Sequence, residues 1–385
     1  MTEAQTVRRQ VAEVAAVFAA DRRARQARTT LDPADFDALR VAGLQRVGLP
    51  AERGGLWSSA QESTRGIAEI YRALAAGDSS VALVSAMHAA VLAYWLGTER
   101  VEAPHTASWQ DQRSQVFDTV EAGCWWGTIT SEPGSGGDVA KTRSVATRVG
   151  KAGNDWRITG EKHFGSGSGI VSYMITTARP QGSGDPDWFF IPVAQVPFDG
   201  SAGITLTAPW DGHGMAATQS HGFSFHDVAA QRIAWPGHLQ DVIGAAAPFF
   251  GLLFTAVVLG IVETAVSEAR IQLSARRDTL RPFEQVEWAQ AELEAWTLEQ
   301  AYEGALRTLE SGQPARGASL RAKTVGAQLA ESCLQRICRV MGGGTFGRRS
   351  PFGHWFEDVR ALGFLRPPWA LAFDGLIAES LVVPG

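Results

Sequence analysis

The stretch Cys124–Asp138, CWWGTITSEPGSGGD, constrains the fold more than any other part of the chain. Its first half is apolar and β-prone, with Trp125, Trp126 and Ile129. Its second half, Ser131-Glu132-Pro133-Gly134-Ser135-Gly136-Gly137-Asp138, carries three glycines and a proline and must turn. Those glycines let backbone N–H groups approach a ligand closely, which suits a phosphate or a flat ring. A second strand-like run, Trp156–Thr159, reaches Gly160 and then Lys162-His163-Phe164-Gly165-Ser166-Gly167-Ser168-Gly169. Each loop alone is an ordinary loop signal; the two together are more specific.

At 385 residues the chain is long enough for two or three packed subdomains. Hydrophobic residues at 45% and charged residues at 19% describe a globular chain rather than a disordered one. A net charge of -5 with no long basic run argues against nucleic acid as a partner. The N-terminus is too rich in Arg and Glu for a signal peptide, and the apolar run Ala245–Val262 reads as a buried core helix rather than a membrane span. Cys124, Cys333 and Cys338 make neither a disulfide framework nor a metal spacing, so no metal and a cytoplasmic location are expected. Thirteen tryptophans could wall a planar ligand, although burial in a core is their commoner use.

Residues 2–115 read as helical. Asp32-Pro33 forms an N-cap with proline at the first helical position, followed by an apolar stripe closed near Gly43. Further helices are predicted over Ile67–Leu74 and Ser79–Leu96. From Gly123 to Ile233 short alternating runs (Arg143–Val149, Trp156–Thr159, Tyr173–Thr177, Trp188–Pro192) predict a β-domain. Beyond Asp241 the pattern is helical again, over Phe249–Arg276, Phe283–Ser311, Ala315–Met341 and a last helix near the C-terminus, which argues for a bundle.

The pair "TSEPGSGGD … TGEKHFGSGSG" resembles the middle-domain signature of the acyl-CoA dehydrogenase superfamily, TEPGAGSD followed by NGxKxWITN. "GHGMAATQSHGFSFHDVAAQRIAW" is similar to that family's last middle-domain strands, with Ala216 where an arginine is frequent. The resemblance covers nearly the whole chain. It implies an α+β chain with the acyl-CoA dehydrogenase fold: an N-terminal helical domain (1–118), a middle β-barrel-like domain (119–236) and a C-terminal four-helix bundle (237–385). It also implies a flavin-dependent oxidoreductase, binding FAD or, alternatively, FMN supplied reduced by a reductase.

Carried over residue by residue, the resemblance sets Thr130, Ser131, Gly136, Gly137, Phe164 and Ser166 against the flavin, with Gly137 replacing a serine and Phe164 a tryptophan. Arg276, sixteen residues after Gly260, takes the place of an arginine that reaches FAD phosphates of a neighbouring subunit. Gln290 matches a glutamine on the next helix. "RVMGGGTFG" resembles a turn that approaches the adenosine, with Arg339 replacing a glutamine and Gly342, Gly343 and Gly344 keeping the backbone permissive. Sites that act across subunits imply a homodimer or homotetramer. His88, within an apolar helix, is a candidate pocket or catalytic residue, though such a histidine is more often a satisfied core residue.

An absence completes the reading. The family's glutamate, which takes the substrate α-proton, lies eight residues after the aspartate matched by Asp358; that position is Arg366. The alternative base position, ten residues before Gly260, is Phe250. A guanidinium stays protonated and cannot be a base; Arg366 is better suited to an anionic substrate group, a (hydro)peroxyflavin or a phenolate oxygen, or else to a surface ion pair with a nearby Glu or Asp, and Phe250 and Trp369 would line the pocket. Three readings stay open. The chain could be an atypical acyl-CoA dehydrogenase acting on an acyl thioester and passing electrons to an electron-transfer flavoprotein. It could be a two-component monooxygenase that takes reduced flavin from a reductase and reacts it with O2 on a small organic substrate. It could be a non-catalytic flavin-binding homologue.

Overall fold

A computed structural model of the chain describes residues 2–150 and 154–381. Six helices come first: α1 (Glu3–Ala20), α2 (Arg22–Gln26), α3 (Pro33–Val41), α4 (Ala60–Ala75), α5 (Ser79–Leu96) and α6 (Thr106–Glu121). Local chemistry sets their ends. Asp32 accepts the Ala34 N–H with Pro33 next in line, Gly43 beyond α3 takes φ 84°, and Asp78 accepts the Val81 N–H at 2.9 Å to start α5. Every residue of α5 is buried, as befits a helix with no polar face.

Seven strands follow: β1 (Trp126–Thr128), β2 (Val145–Arg148), β3 (Asp155–Gly165), β4 (Tyr173–Pro180), β5 (Asp187–Pro192), β6 (Ile204–Ala208) and β7 (His221–Arg232). β4 pairs with β2, β2 with β3, β3 with β7, β7 with β5, and β5 returns to β4. That ring of pairings closes the sheet into a barrel, with β1 added to β4 and β6 to β7. The strand expected over Trp156–Thr159 runs on through Gly160 to Gly165, irregular at Gly160 and before Gly165. Gly160 makes this passage possible: it has φ 155°, and a Cβ there would stand 2.2 Å from Ser144 Oγ.

The remaining helices are α7 (Leu239–Ser274), α8 (Pro282–Glu310), α9 (Arg316–Met341), α10 (Pro351–Val359), α11 (Ala361–Phe364) and α12 (Trp369–Ser380). α7 begins ten residues earlier than expected and passes through Pro248, whose missing N–H and ring would ordinarily end a helix. Packing against α4, α5, α8 and α9 overrides that local preference. α7, α8 and α9 pack on one another, and the single last helix expected is three short ones, each in contact with α9. α5 and α7 are long and apolar enough to cross a membrane, but their apolar windows are 94% and 72% buried inside the protein.

Candidate active site

A cavity of ≈ 840 Å³ opens where the barrel meets α5, α7 and the segment running from α10 to Pro368. Its two halves differ in chemistry. On the barrel side, the end of β1 and the loop after it contribute Thr128, Thr130 to Gly134, Gly136 and Gly137, the end of β3 contributes His163, Phe164 and Ser166, and the segment before β7 contributes Trp210 to Met215, Thr218 and Ser220. The other half is apolar. α5 presents Leu83, Met87, Ala90 and Tyr94, spaced to share one helix face, and α7 presents Phe250 and Phe254 one turn apart.

The two loops singled out in the sequence lie side by side. The His163 N–H donates to the Ser131 carbonyl at 2.8 Å, and directly behind it Lys162 Nζ lies 2.7 Å from Glu132 Oε1. Both side chains of that ion pair are shut away from solvent, at 0% and 3% exposure. Glu132 also accepts from the Ser144 hydroxyl (2.7 Å) and the N–H groups of Ser144 and Arg143, while Lys162 donates to the Thr177 carbonyl at 2.6 Å. Burial opposes the charge on Glu132, but Lys162 and these donors hold its carboxyl below the usual range. Burial pulls Lys162 down to about 8. The pair was not picked out from the sequence, where a Glu and a Lys thirty residues apart carry no pairing signal.

The barrel-side half fits a flat heteroaromatic ring with polar edges. Phe164, at φ 62°, holds its ring out at 56% exposure, edge-on to Trp210. The hydroxyls of Thr128 and Ser131 make no hydrogen bond among the described residues, while Ser166, Ser220 and Thr218 form a chain of 2.7 Å contacts beside them. A Cβ on Gly134 or Gly136 would meet nothing, so this loop lies open. Gly137 differs: at φ 80°, a Cβ there would lie 2.8 Å from Pro368 Cγ. The missing serine at this position is therefore explained by the close approach of the Pro368 segment.

Arg366, preceding Pro367 in that segment, donates from Nη1 to the Gly137 carbonyl at 3.0 Å and from Nη2 to Thr130 Oγ1. It forms no ion pair among the described residues; burial lowers its pKa, opposed by Tyr94 and Asp138, and it remains a cation. Phe250 lines the cavity as expected. Asp358, on α10, accepts the Met215 N–H at 2.6 Å and so pins the barrel segment that borders the cavity. Burial pushes the Asp358 carboxyl up to about 6, against the Met215 N–H and the Ser79 hydroxyl, with Asp78 adding to the rise.

Several expected residues do not reach the cavity. His88 is fully buried: its Nδ1 accepts the Trp126 N–H at 2.9 Å, so Nε2 carries the proton and donates to the Gln45 carbonyl at 2.8 Å. Burial lowers its pKa to about 4, and with both nitrogens committed it is a core residue rather than a catalytic one. Trp369 stacks on Phe373 and packs over Gly363, where a Cβ would meet its Nε1 at 2.2 Å; Pro368 takes its place on the wall. Arg276, Gln290, Arg339 and Gly342–Gly344 do not line the cavity of this single chain either. Arg276 donates to Glu284 and to the Val340 carbonyl in the last turn of α9, and Arg339 pairs with Glu287. No group of acidic, histidine or cysteine side chains suited to a metal ion occurs among the described residues.

Comparison with known proteins agrees with this geometry. Residues 127–228, the barrel, match the acyl-CoA dehydrogenase middle domain. A probable FMNH2-dependent monooxygenase, SfnC of Pseudomonas putida, is 29% identical over 67% of this chain and 60% of its own length. A putative acyl-CoA dehydrogenase, YdbM of Bacillus subtilis, is 25% identical over 86% of this chain and 84% of its own. Among solved structures, FMN-bound TdsC from Paenibacillus sp. A11-2 superposes with a TM-score of 0.77 at 22% identity, covering 97% of each chain. A closed barrel between two helical layers, a middle domain matched along its length and a whole-chain superposition lead to one conclusion: residues 127–228 match the acyl-CoA dehydrogenase middle domain, and the chain has the acyl-CoA dehydrogenase fold.

Proposed function

We propose that the protein is a flavin-dependent monooxygenase, one that receives reduced flavin from a separate reductase and uses O2 on a small organic substrate. The observation that carries this is the absence of a free carboxylate on the apolar half of the cavity. Among the described lining residues, Glu132 is consumed by Lys162, Glu357 pairs with Arg360, and Asp211 lies exposed on the barrel-side rim. At the two positions where the family resemblance expects a base stand Arg366 and Phe250. Removing an α-proton beside a thioester with no positioned base forfeits a factor on the order of a hundred or more. Oxygen transfer has no such requirement. The names of SfnC, an FMNH2-dependent monooxygenase, and of a nitrososynthase from Micromonospora carbonacea with the same fold (TM-score 0.81, 20% identity) support the same direction.

In this reading the ring of FMN or FAD lies over the barrel-side half, against Phe164, with Thr130, Ser131, Gly136 and Ser166 at its edges. When bound, it supplies the redox chemistry. The chain's own residues orient it, keep water from the apolar half and hold the substrate beside it. The functional form is a dimer or tetramer: Phe283, Val286, Leu293 and Trp296 run along one side of α8, each more than half exposed, and a second copy would cover them. Arg276, Gln290, Arg339 and Gly342–Gly344 would meet the flavin of that copy. The three free cysteines accord with a cytoplasmic location.

The test is stopped-flow mixing of the reduced flavin-loaded protein with O2. The reading expects a spectrally distinct species before oxidised flavin appears. Single-step reoxidation at the rate of free flavin would contradict it.

A further inference from the structure

We propose that the apolar half of the cavity binds a compact aromatic or aliphatic molecule bearing one anionic oxygen group, gripped by Arg366 and Tyr94. The inference rests on the cavity being the substrate site described above, and deepens that reading by naming the substrate's class.

The first observation is a charge without a counter-charge. Arg366 is half-buried against the cavity wall, and guanidinium groups so placed are ordinarily paired, because removing charge from water without a counter-charge is costly. Arg366 spends two of its five N–H groups on neutral oxygens, the Gly137 carbonyl and Thr130 Oγ1. Asp138 acts on it electrostatically without forming an ion pair; one of its oxygens accepts the Ala140 N–H at 2.9 Å and the other faces Lys141 at 3.9 Å. Glu132 is enclosed with Lys162. The two contacts Arg366 does make fix the planar fork against the loop, leaving N–H groups for a ligand.

The second observation concerns Tyr94, in the last turn of α5. Its ring is buried and packs on Trp188 with centroids 5.0 Å apart, yet its hydroxyl makes no hydrogen bond among the described residues. The ring is buried but the hydroxyl is not enclosed, so it is free to meet a ligand in the cavity. Both Tyr94 and Arg366 line the cavity and are electrostatically coupled. Burial pushes the Tyr94 phenol up to about 12, so near neutral pH it is a donor. Leu83, Met87, Ala90, Phe250 and Phe254 are among the apolar residues that wall this half. A charged fork and a phenol donor in apolar walls recognise a carboxylate, sulfinate or phenolate on an apolar body. A neutral hydrocarbon would leave both polar groups unsatisfied.

The experiment is calorimetric titration of the FMN-loaded oxidised protein with benzoate, benzenesulfinate, phenylacetate and 4-nitrophenolate, each against a neutral analogue such as benzamide or nitrobenzene. At least one anion should bind tenfold or more tighter than its neutral analogue, the range expected for a charge-assisted hydrogen bond. Arg366→Met should abolish that preference, Arg366→Lys should keep part of it, and Tyr94→Phe, which leaves the fold contacts of the ring intact, should reduce it. Equal binding of every anion and its neutral analogue, or an unchanged preference in Arg366→Met, overturns the proposal. The flavin itself is a second source of anionic oxygen. If Arg366→Met weakens FMN binding and the loaded protein shows no anion preference, Arg366 serves the cofactor and the proposal fails. No turnover is involved, so failure here leaves the stopped-flow test of oxygen chemistry standing.

Discussion

Lys162 Nζ and Glu132 Oε1 stand 2.7 Å apart in the interior of the barrel, immediately behind Ser131 and His163. The ion pair joins the two Gly-rich loops from beneath, and each partner is needed mainly because the other is there. Lys162→Met leaves the buried Glu132 carboxylate with only the exposed Arg143 guanidinium, 3.8 Å away, as counter-charge, and should cost about 3 kcal/mol, read from the denaturant midpoint. The double variant Lys162→Met/Glu132→Leu should recover most of that loss in stability, while flavin affinity stays low because the loops have lost their tie. Full additivity of the two single changes would contradict this account.

Gly137 is not a degraded serine. Its φ of 80° and the 2.8 Å approach of Pro368 to a Cβ there mean that Gly137→Ser should destabilise by about 1–3 kcal/mol rather than strengthen cofactor binding. Thermal unfolding with and without FMN separates the two outcomes.

Asp358 makes stability depend on pH in an identifiable direction. Its carboxyl titrates at about 6 in the folded protein against 3.8 ordinarily, so between those values the folded state holds the proton more firmly. The resulting stabilisation is complete below about pH 4 and lost as pH rises through 6, on the order of 3 kcal/mol. His88, lowered to about 4, acts oppositely over an overlapping range. The readout is therefore a difference: Asp358→Asn should keep its stability, relative to the unchanged protein, increasingly well from pH 4 to 6.5. Parallel profiles would contradict the assignment.

The exposed stripe on α8 predicts the assembly state. Leu293→Asp and Trp296→Glu should each lower the mass seen by sedimentation without lowering the helix content of the chain. If Arg276 and the Gly342–Gly344 turn act across that contact, flavin affinity should fall with the loss of assembly.

Much of this was legible in the chain. The caps at Asp32 and the bounds of α5 follow from local chemistry, and the two loops were found because glycine and proline restrict the backbone wherever they occur. The extension of α7 through Pro248 was not legible, since burial on several sides outweighs a proline only once the neighbours are known. Nor were the roles of His88 and Trp369. Both sit in apolar surroundings that read alike whether they face a cavity or a core, and only the hydrogen bonds to Gln45 and Trp126, or the packing on Gly363, distinguish the two. Tyr94 could have been found by extending the spacing of Leu83, Met87 and Ala90 one more turn.

The most direct test of the central claim, that the site lacks a base for thioester dehydrogenation, is anaerobic. The FAD-loaded and, separately, the FMN-loaded protein is mixed with a series of short-, medium- and branched-chain acyl-CoAs, and the oxidised flavin absorbance is followed. The account predicts that no thioester bleaches the flavin. Bleaching by any one of them would show that a proton acceptor operates in this cavity other than at Arg366 or Phe250, and would return the protein to the dehydrogenases.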